Sequence, residues 1–97
     1  MDKIEKHKQI CDRLHGLYVA KNSDYGDSFK TTRDKYKDCI LIRLNDKLSR
    51  LETLYGSEKI RVKDENIKDT LMDLANYCIM ELIEMELDNN QPAKLSM

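Results

Sequence analysis

The chain has 97 residues, 36% of them charged, and Lys+Arg 17 against Asp+Glu 18 leaves a formal net charge of −1. This is the length of one domain, and a chain so short buries only about 60–65% of its unfolded surface, so the monomer should be marginally stable. The charge balance argues against a duplex nucleic-acid binder, which would carry a clear basic excess.

No apolar run approaches the roughly 18 residues of a membrane span, and the opening residues MDKIEK lack the apolar core of a secretory signal. A cytoplasmic protein without membrane contact is the expectation. Cys11, Cys39 and Cys78 are odd in number, far apart and set in apolar patterns. They read as reduced, buried thiols, neither a disulfide frame nor a zinc knuckle.

Strand-style alternation is absent, and Leu, Lys, Glu, Asp and Met dominate. The spacing predicts a first helix over residues 2–22, with Ile4, Cys11, Leu14, Leu17 and Tyr18 on one stripe. Gly16 either weakens it by roughly 1 kcal/mol relative to alanine or marks a close helix crossing. His7, Cys11 and His15 share that stripe, but three ligands spread over about two turns lie too far apart for one zinc ion. Cys11 is therefore expected in the core and the two histidines at its boundary.

Residues 21–29, KNSDYGDSF, follow as a loop that is chemically richer than a connector requires. Asn22 and Asp24 suit a helix end, Gly26 a positive φ, and Ser28 a cap for the next helix. Lys21, Tyr25 and Asp27 are left over, and Tyr25 offers a stacking surface for a base.

A second helix begins within residues 28–37, runs to Tyr55 and ends before Gly56. Its apolar face is Ile40, Leu41, Leu44, Leu48, Leu51 and Tyr55, and residues 28–36 either open it or form a separate short helix. Residues 56–63 make a polar connector with one apolar patch, Ile60-Arg-Val62. Asp64 then caps a third helix reaching about Leu87, with Glu65 favouring its positive start. Ile67, Leu71, Leu74, Ala75 and Cys78 form its inner face, opposite Glu65, Asp69, Asp73 and Asn76. Residues 88–97 show no apolar period and should be a mobile tail to a single domain at 1–87.

The expected fold is all-α, a small bundle of three main helices, or four if residues 28–36 stand apart. From Ile79 to Leu87, Met80, Leu82, Ile83, Met85 and Leu87 point in nearly all directions around the third helix. Three helices cannot cover such a segment, which predicts a homo-oligomer, a dimer or higher, completed through Met80–Leu87.

Two charged ladders carry the functional options. Arg43, Lys47 and Arg50 flank the apolar face of the second helix; Glu65, Asp69 and Asp73 recur every four residues on the third, ending beside Asn76 and Tyr77. Such ladders can be solvated faces or cross-helix ion pairs, each worth about 0–1 kcal/mol when exposed. Alternatively, the cations hold phosphate while the carboxylates hold a metal, a sugar hydroxyl or a base edge.

KNSDYGDSF, the stretch from Arg43 to Arg50 (RLNDKLSR) and the stretch from Asp64 to Tyr77 (DENIKDTLMDLANY) together resemble the nucleotide modification associated domain 1 family. The likeness spans about residues 8–85. That family occurs widely in phages and prophages, is all-α, and is associated with phage nucleotide metabolism and DNA modification. The resemblance implies a small nucleotide as ligand, either handled for DNA modification or sequestered as an immune signal of the host. A more distant similarity is to MazG-type all-α nucleoside triphosphate pyrophosphohydrolases, which hold magnesium with a Glu-x-x-Glu pair on one helix and a Glu-x-x-Asp pair on the next. Glu81 and Glu84 have the first spacing, but no Glu-x-x-Asp pair follows, and the second helix offers only Asp46 and Glu52. A magnesium-dependent pyrophosphohydrolase using Glu65, Asp69 and Asp73 is thus the enzymatic alternative, and a helical interaction module without catalysis the other.

Under the favoured reading Arg43, Lys47 and Arg50 meet phosphate, Tyr25 the base, and Asp69, Asp73 and Asn76 the ribose or base edge. Antiparallel packing of the second and third helices would set the loop near Asp73–Tyr77. It places a pocket around Asp24, Tyr25, Arg43, Lys47, Asp73 and Tyr77, with Glu65 peripheral or purely structural and Lys21 a further candidate ligand contact.

Overall fold

A computed structural model describes residues 2–25, 27–58 and 63–88, without the side chains of Asp24 and Tyr25. Four helices account for almost all of them: α1 (Lys3–Tyr25), α2 (Ser28–Lys35), α3 (Cys39–Gly56) and α4 (Lys63–Asp88). No strand occurs among the described residues, and none of their helices is long and apolar enough to cross a membrane.

The main departure from the sequence reading falls on residues 21–29. Lys21–Tyr25 is the last turn of α1, not a loop. Asn22, Ser23 and Asp24 are poor helix formers, but each costs only a fraction of a kcal/mol. The ion pair from Lys21 to Asp73 of α4 holds this extra turn in place. The α1 start is fixed by Asp2, whose Oδ1 accepts from the Glu5 N–H at 2.8 Å. The cap of α2 is Asp27 and not Ser28: its carboxylate accepts from the Lys30 N–H. Residues 28–35 do form a separate helix, ended by the extended backbone of Tyr36. Ser57 caps α3, one residue beyond the predicted stop, and Lys63 rather than Asp64 opens α4. Gly26, the Ile60-Arg-Val62 patch and the predicted tail after Asp88 lie outside the described residues.

α4 is the spine. Lys47 and Arg50 of α3 bond Asp73 and Thr70, so increasing number on one helix meets decreasing number on the other, and the two run antiparallel as predicted. Leu51 and Leu54 of α3 pack with Ile67 of α4 as the core, and Leu74 joins them half-buried. α1 also crosses α4 antiparallel, through Lys21 to Asp73 and through Asn76 Nδ2, which donates to the Leu14 carbonyl. α2 runs parallel to the far half of α4: Phe29 meets Tyr77, and Arg33 meets Glu81 and Asp88.

That last contact corrects the reading of the α4 C-terminal half as apolar all round. Tyr77, Glu81, Glu84 and Asp88 recur at helical spacing on one side, and α2 covers it. Arg33, only 7% exposed, holds Glu81 through two parallel hydrogen bonds of 3.0 and 3.1 Å and also bonds Asp88. The hydrogen bonds from Glu81 and Asp88 raise the Arg33 pKa further above its already high value. Ile79, Leu82, Ile83, Met85 and Leu87 remain exposed around the rest of the helix, so only the side under α2 is covered.

α1 buries less than its stripe suggested. Leu14 is its one buried residue among those described, while Ile4 is 85% exposed and Leu17 is also exposed. Cys11 is exposed, contrary to its expected place in the core, with its Sγ 3.8 Å from Nδ1 of His7. Cys39 is buried and Cys78 half-buried. On α3 Leu51 and Leu54 are buried along with Cys39, whereas Leu41, Leu48 and Tyr55 of the predicted face are exposed. Ile40 and Leu44 of that face are half-buried.

Candidate cleft at the helix junction

Asp73, Asn76 and Tyr77 occupy one turn of α4, and between them they contact α1, α2 and α3. Lys21 Nζ of α1 lies 2.9 Å from Asp73 Oδ1, and Lys47 Nζ of α3 lies 3.2 Å from its Oδ2. Asn76 holds α1 through the Leu14 carbonyl at 3.1 Å. The Tyr77 ring lies 6.1 Å from that of Phe29 on α2, tilted by 47°. Three helices therefore converge on this turn.

Between them opens a cleft of about 160 Å³, lined by Tyr18, Lys21, Asn22, Asp27, Ser28, Phe29, Asp73, Asn76, Tyr77 and Met80. Its walls combine three aromatic rings and a thioether with amide, hydroxyl and carboxylate groups. Such a mixture of apolar surface and a few convergent polar groups is typical of a small-molecule site.

The electrostatics centre on Asp73. Burial alone would lift its carboxyl pKa, but hydrogen bonds from Lys21 and Lys47 outweigh burial and hold it below its ordinary value. Asp73 is therefore ionised at neutral pH with one ammonium on each oxygen. A carboxylate oxygen accepts up to two hydrogen bonds, so each retains capacity toward a ligand. What the cleft can do chemically is stack a ring and accept hydrogen bonds from it.

Of the candidate ligand residues named from the sequence, Lys21, Asp73, Asn76 and Tyr77 line this cleft, and Lys47 stands behind Asp73. Arg43 and Arg50 are not among the lining residues; the Arg50 Nε instead donates to Thr70 Oγ1 at 3.2 Å, and that hydroxyl donates to the Asn66 carbonyl. Asp24 and Tyr25 have side chains outside those described. Glu65 and Asp69 stand exposed. Among the described residues no group of three His, Cys, Asp or Glu side chains is placed to hold a metal. Carboxylates at i, i+4 and i+8 are strung over about 12 Å of helix, and the lysines already occupy Asp73. These donors do not fit a magnesium site within one chain. Glu81 likewise is bound to Arg33, and Glu84 is buried.

The sequence reading missed Tyr18, Asn22, Phe29 and Met80 as wall residues. Tyr18, Lys21 and Asn22 share one helical stripe by their i, i+3, i+4 spacing, a signal obscured by reading Lys21 and Asn22 as part of a loop. Phe29, the one phenylalanine of the chain, had an apolar side chain with no assigned partner.

A family profile described as nucleotide modification associated domain 1 matches residues 21–85. No curated protein and no solved structure matches the chain.

Proposed function

The chain belongs to the nucleotide modification associated domain 1 family, and on that footing we propose that its cleft binds a small nucleotide. The observation that carries the reading is the meeting of Lys21, Lys47, Asp73 and Tyr77 at one point. They come from the three separate stretches that resemble the family, and they border a cleft with stacking rings.

The protein would act in the cytoplasm of a phage-infected or prophage-bearing cell. There it would present a nucleotide for DNA modification or withhold a nucleotide signal from host defence. Self-association through the exposed face that includes Ile79, Leu82, Ile83 and Leu87 belongs to the same proposal, because a chain with so few buried apolar residues gains most from covering it.

Calorimetric titration with a panel of nucleoside mono- and triphosphates and linear and cyclic dinucleotides tests the reading. Saturable binding of at least one member, weakened by Asp73→Asn, is expected. Absence of binding to every member at high micromolar concentration overturns it.

A further inference from the structure

We infer that the cleft receives the ring end of the nucleotide, a nucleobase bearing an exocyclic amino group, and that the phosphates project outside it. The inference rests on the nucleotide-binding reading and narrows it.

Charge comes first. The lining includes one lysine, Lys21, and its ammonium already lies on Asp73. Lys47 stands behind the same carboxylate, on its other oxygen. Two cations and Asp73 leave one positive charge, and the Asp27 carboxylate at the mouth cancels it. A phosphate carrying about two negative charges would meet no net attraction here and would be repelled by two carboxylates at close range.

The rest of the wall suits a flat, uncharged ring. Half-buried Tyr18 and Tyr77 present aromatic surface. Nearly buried Phe29 backs Tyr77 at the edge of the wall, and Met80 adds a polarisable thioether. Base-on-aromatic stacking tolerates any base. A volume of about 160 Å³ lies well under the roughly 300 Å³ at the lower end for sites that engulf a drug-sized ligand. One ring system fits; a whole nucleoside triphosphate does not.

The hydrogen-bonding groups then select among bases. Asn76 spends one of its two amide N–H groups on the Leu14 carbonyl, which leaves its Oδ1 as an acceptor and one N–H as a donor. Asp27 spends Oδ1 on the Lys30 N–H, which leaves Oδ2. Neither of these two oxygens has a hydrogen-bond partner among the described residues. Asp27 and Asp73 are the acceptor-only groups of a wall whose amide and hydroxyl groups can both donate and accept. Adenine and cytosine bring exocyclic amino donors to such a wall, whereas uracil and thymine bring a carbonyl oxygen in the same position.

Titration of the full-length protein with adenosine, cytidine, uridine, their monophosphates and inorganic pyrophosphate decides the matter. Adenosine or cytidine should bind within about tenfold of its monophosphate, and pyrophosphate should not compete. Uridine should bind at least about fivefold more weakly than the better of those two, the discrimination of one good base-edge contact. Asp27→Asn preserves an oxygen for the α2 cap but puts an N–H where the acceptor was, so it should narrow or reverse the preference against uridine. Competition by pyrophosphate, or monophosphates that bind while every nucleoside fails, would overturn the ring-end assignment while sparing nucleotide binding itself. Uridine binding as tightly as adenosine and cytidine would overturn the amino-group selection. Failure of nucleosides and nucleotides alike would bring down the underlying reading with it.

Discussion

Lys21 and Asp73 lie 52 residues apart in the chain and meet at 2.9 Å, joining the last turn of α1 to the middle of α4. Lys47 shares the carboxylate from α3, so removing its charge affects two helices at once. Asp73→Asn leaves two ammonium groups facing each other across a neutral amide. The lysine partners are 58% and 26% exposed, which keeps the stability cost to about 1 kcal/mol in total for such solvent-screened pairs. A loss of that size, read by urea unfolding, should accompany a much larger loss of nucleotide affinity. Equal affinity in the variant would separate Asp73 from the site.

Asp73 also sets an acid limit. Its folded pKa is depressed below the ordinary 3.8, so the stability it contributes is fully present above that ordinary value and is lost as pH falls through the folded one. Asp88, held down by the hydrogen bond from Arg33, adds to the same trend. Unfolding free energy should therefore decline as the pH drops below about 4, with a shallower decline in Asp73→Asn. An unchanged slope in the variant would contradict the ion-pair geometry.

Arg33 is the most deeply buried cation among the described residues, and its loss strands Glu81 beside buried Glu84. Breaking a buried pair by deleting one partner typically costs about 3–5 kcal/mol. Glu81 and Asp88 keep some solvent access, so roughly 2–3 kcal/mol is expected for Arg33→Met by chemical denaturation. Arg33→Lys should recover only part of it, since an ammonium cannot make the paired bonds to Glu81.

The helical class, the antiparallel pairing of α3 with α4 and the approach of Lys47 to Asp73 were legible because they follow from apolar period and connector length. Arg33 was not. It sat in a stretch with no apolar stripe, and its partners Glu81 and Asp88 are 48 and 55 residues away, where periodicity carries no information. For the same reason the α4 C-terminal half read as apolar all round: its charged residues look like solvent-facing exceptions until a buried arginine is known to cover them. The extension of α1 through Lys21–Tyr25 escaped notice because residues that suit caps and turns also tolerate a last helical turn when a tertiary ion pair fixes it.

Ile83 borders a second, mainly apolar cavity of about 210 Å³ between α1 and α4 and also belongs to the uncovered face of α4. If that face joins two copies, sedimentation at micromolar concentration should give more than a monomer mass. Ile83→Asp should shift the protein to monomer by placing a charge in the contact. A wild-type protein that sediments as a stable monomer would end the proposal of self-association.

Phe29 links fold and site most directly. Its ring is 5% exposed, ties α2 to Tyr77 and forms one wall of the cleft. Phe29→Leu keeps an apolar side chain but removes three carbons from a buried site, so about 1–3 kcal/mol of stability should be lost with it. It removes the aromatic surface altogether, and base stacking is worth about 1–3 kcal/mol by substitution. The variant should therefore stay folded by circular dichroism and melt lower, while its affinity for the preferred nucleoside falls about five- to a hundredfold. Undiminished affinity in a folded variant would place the base away from α2.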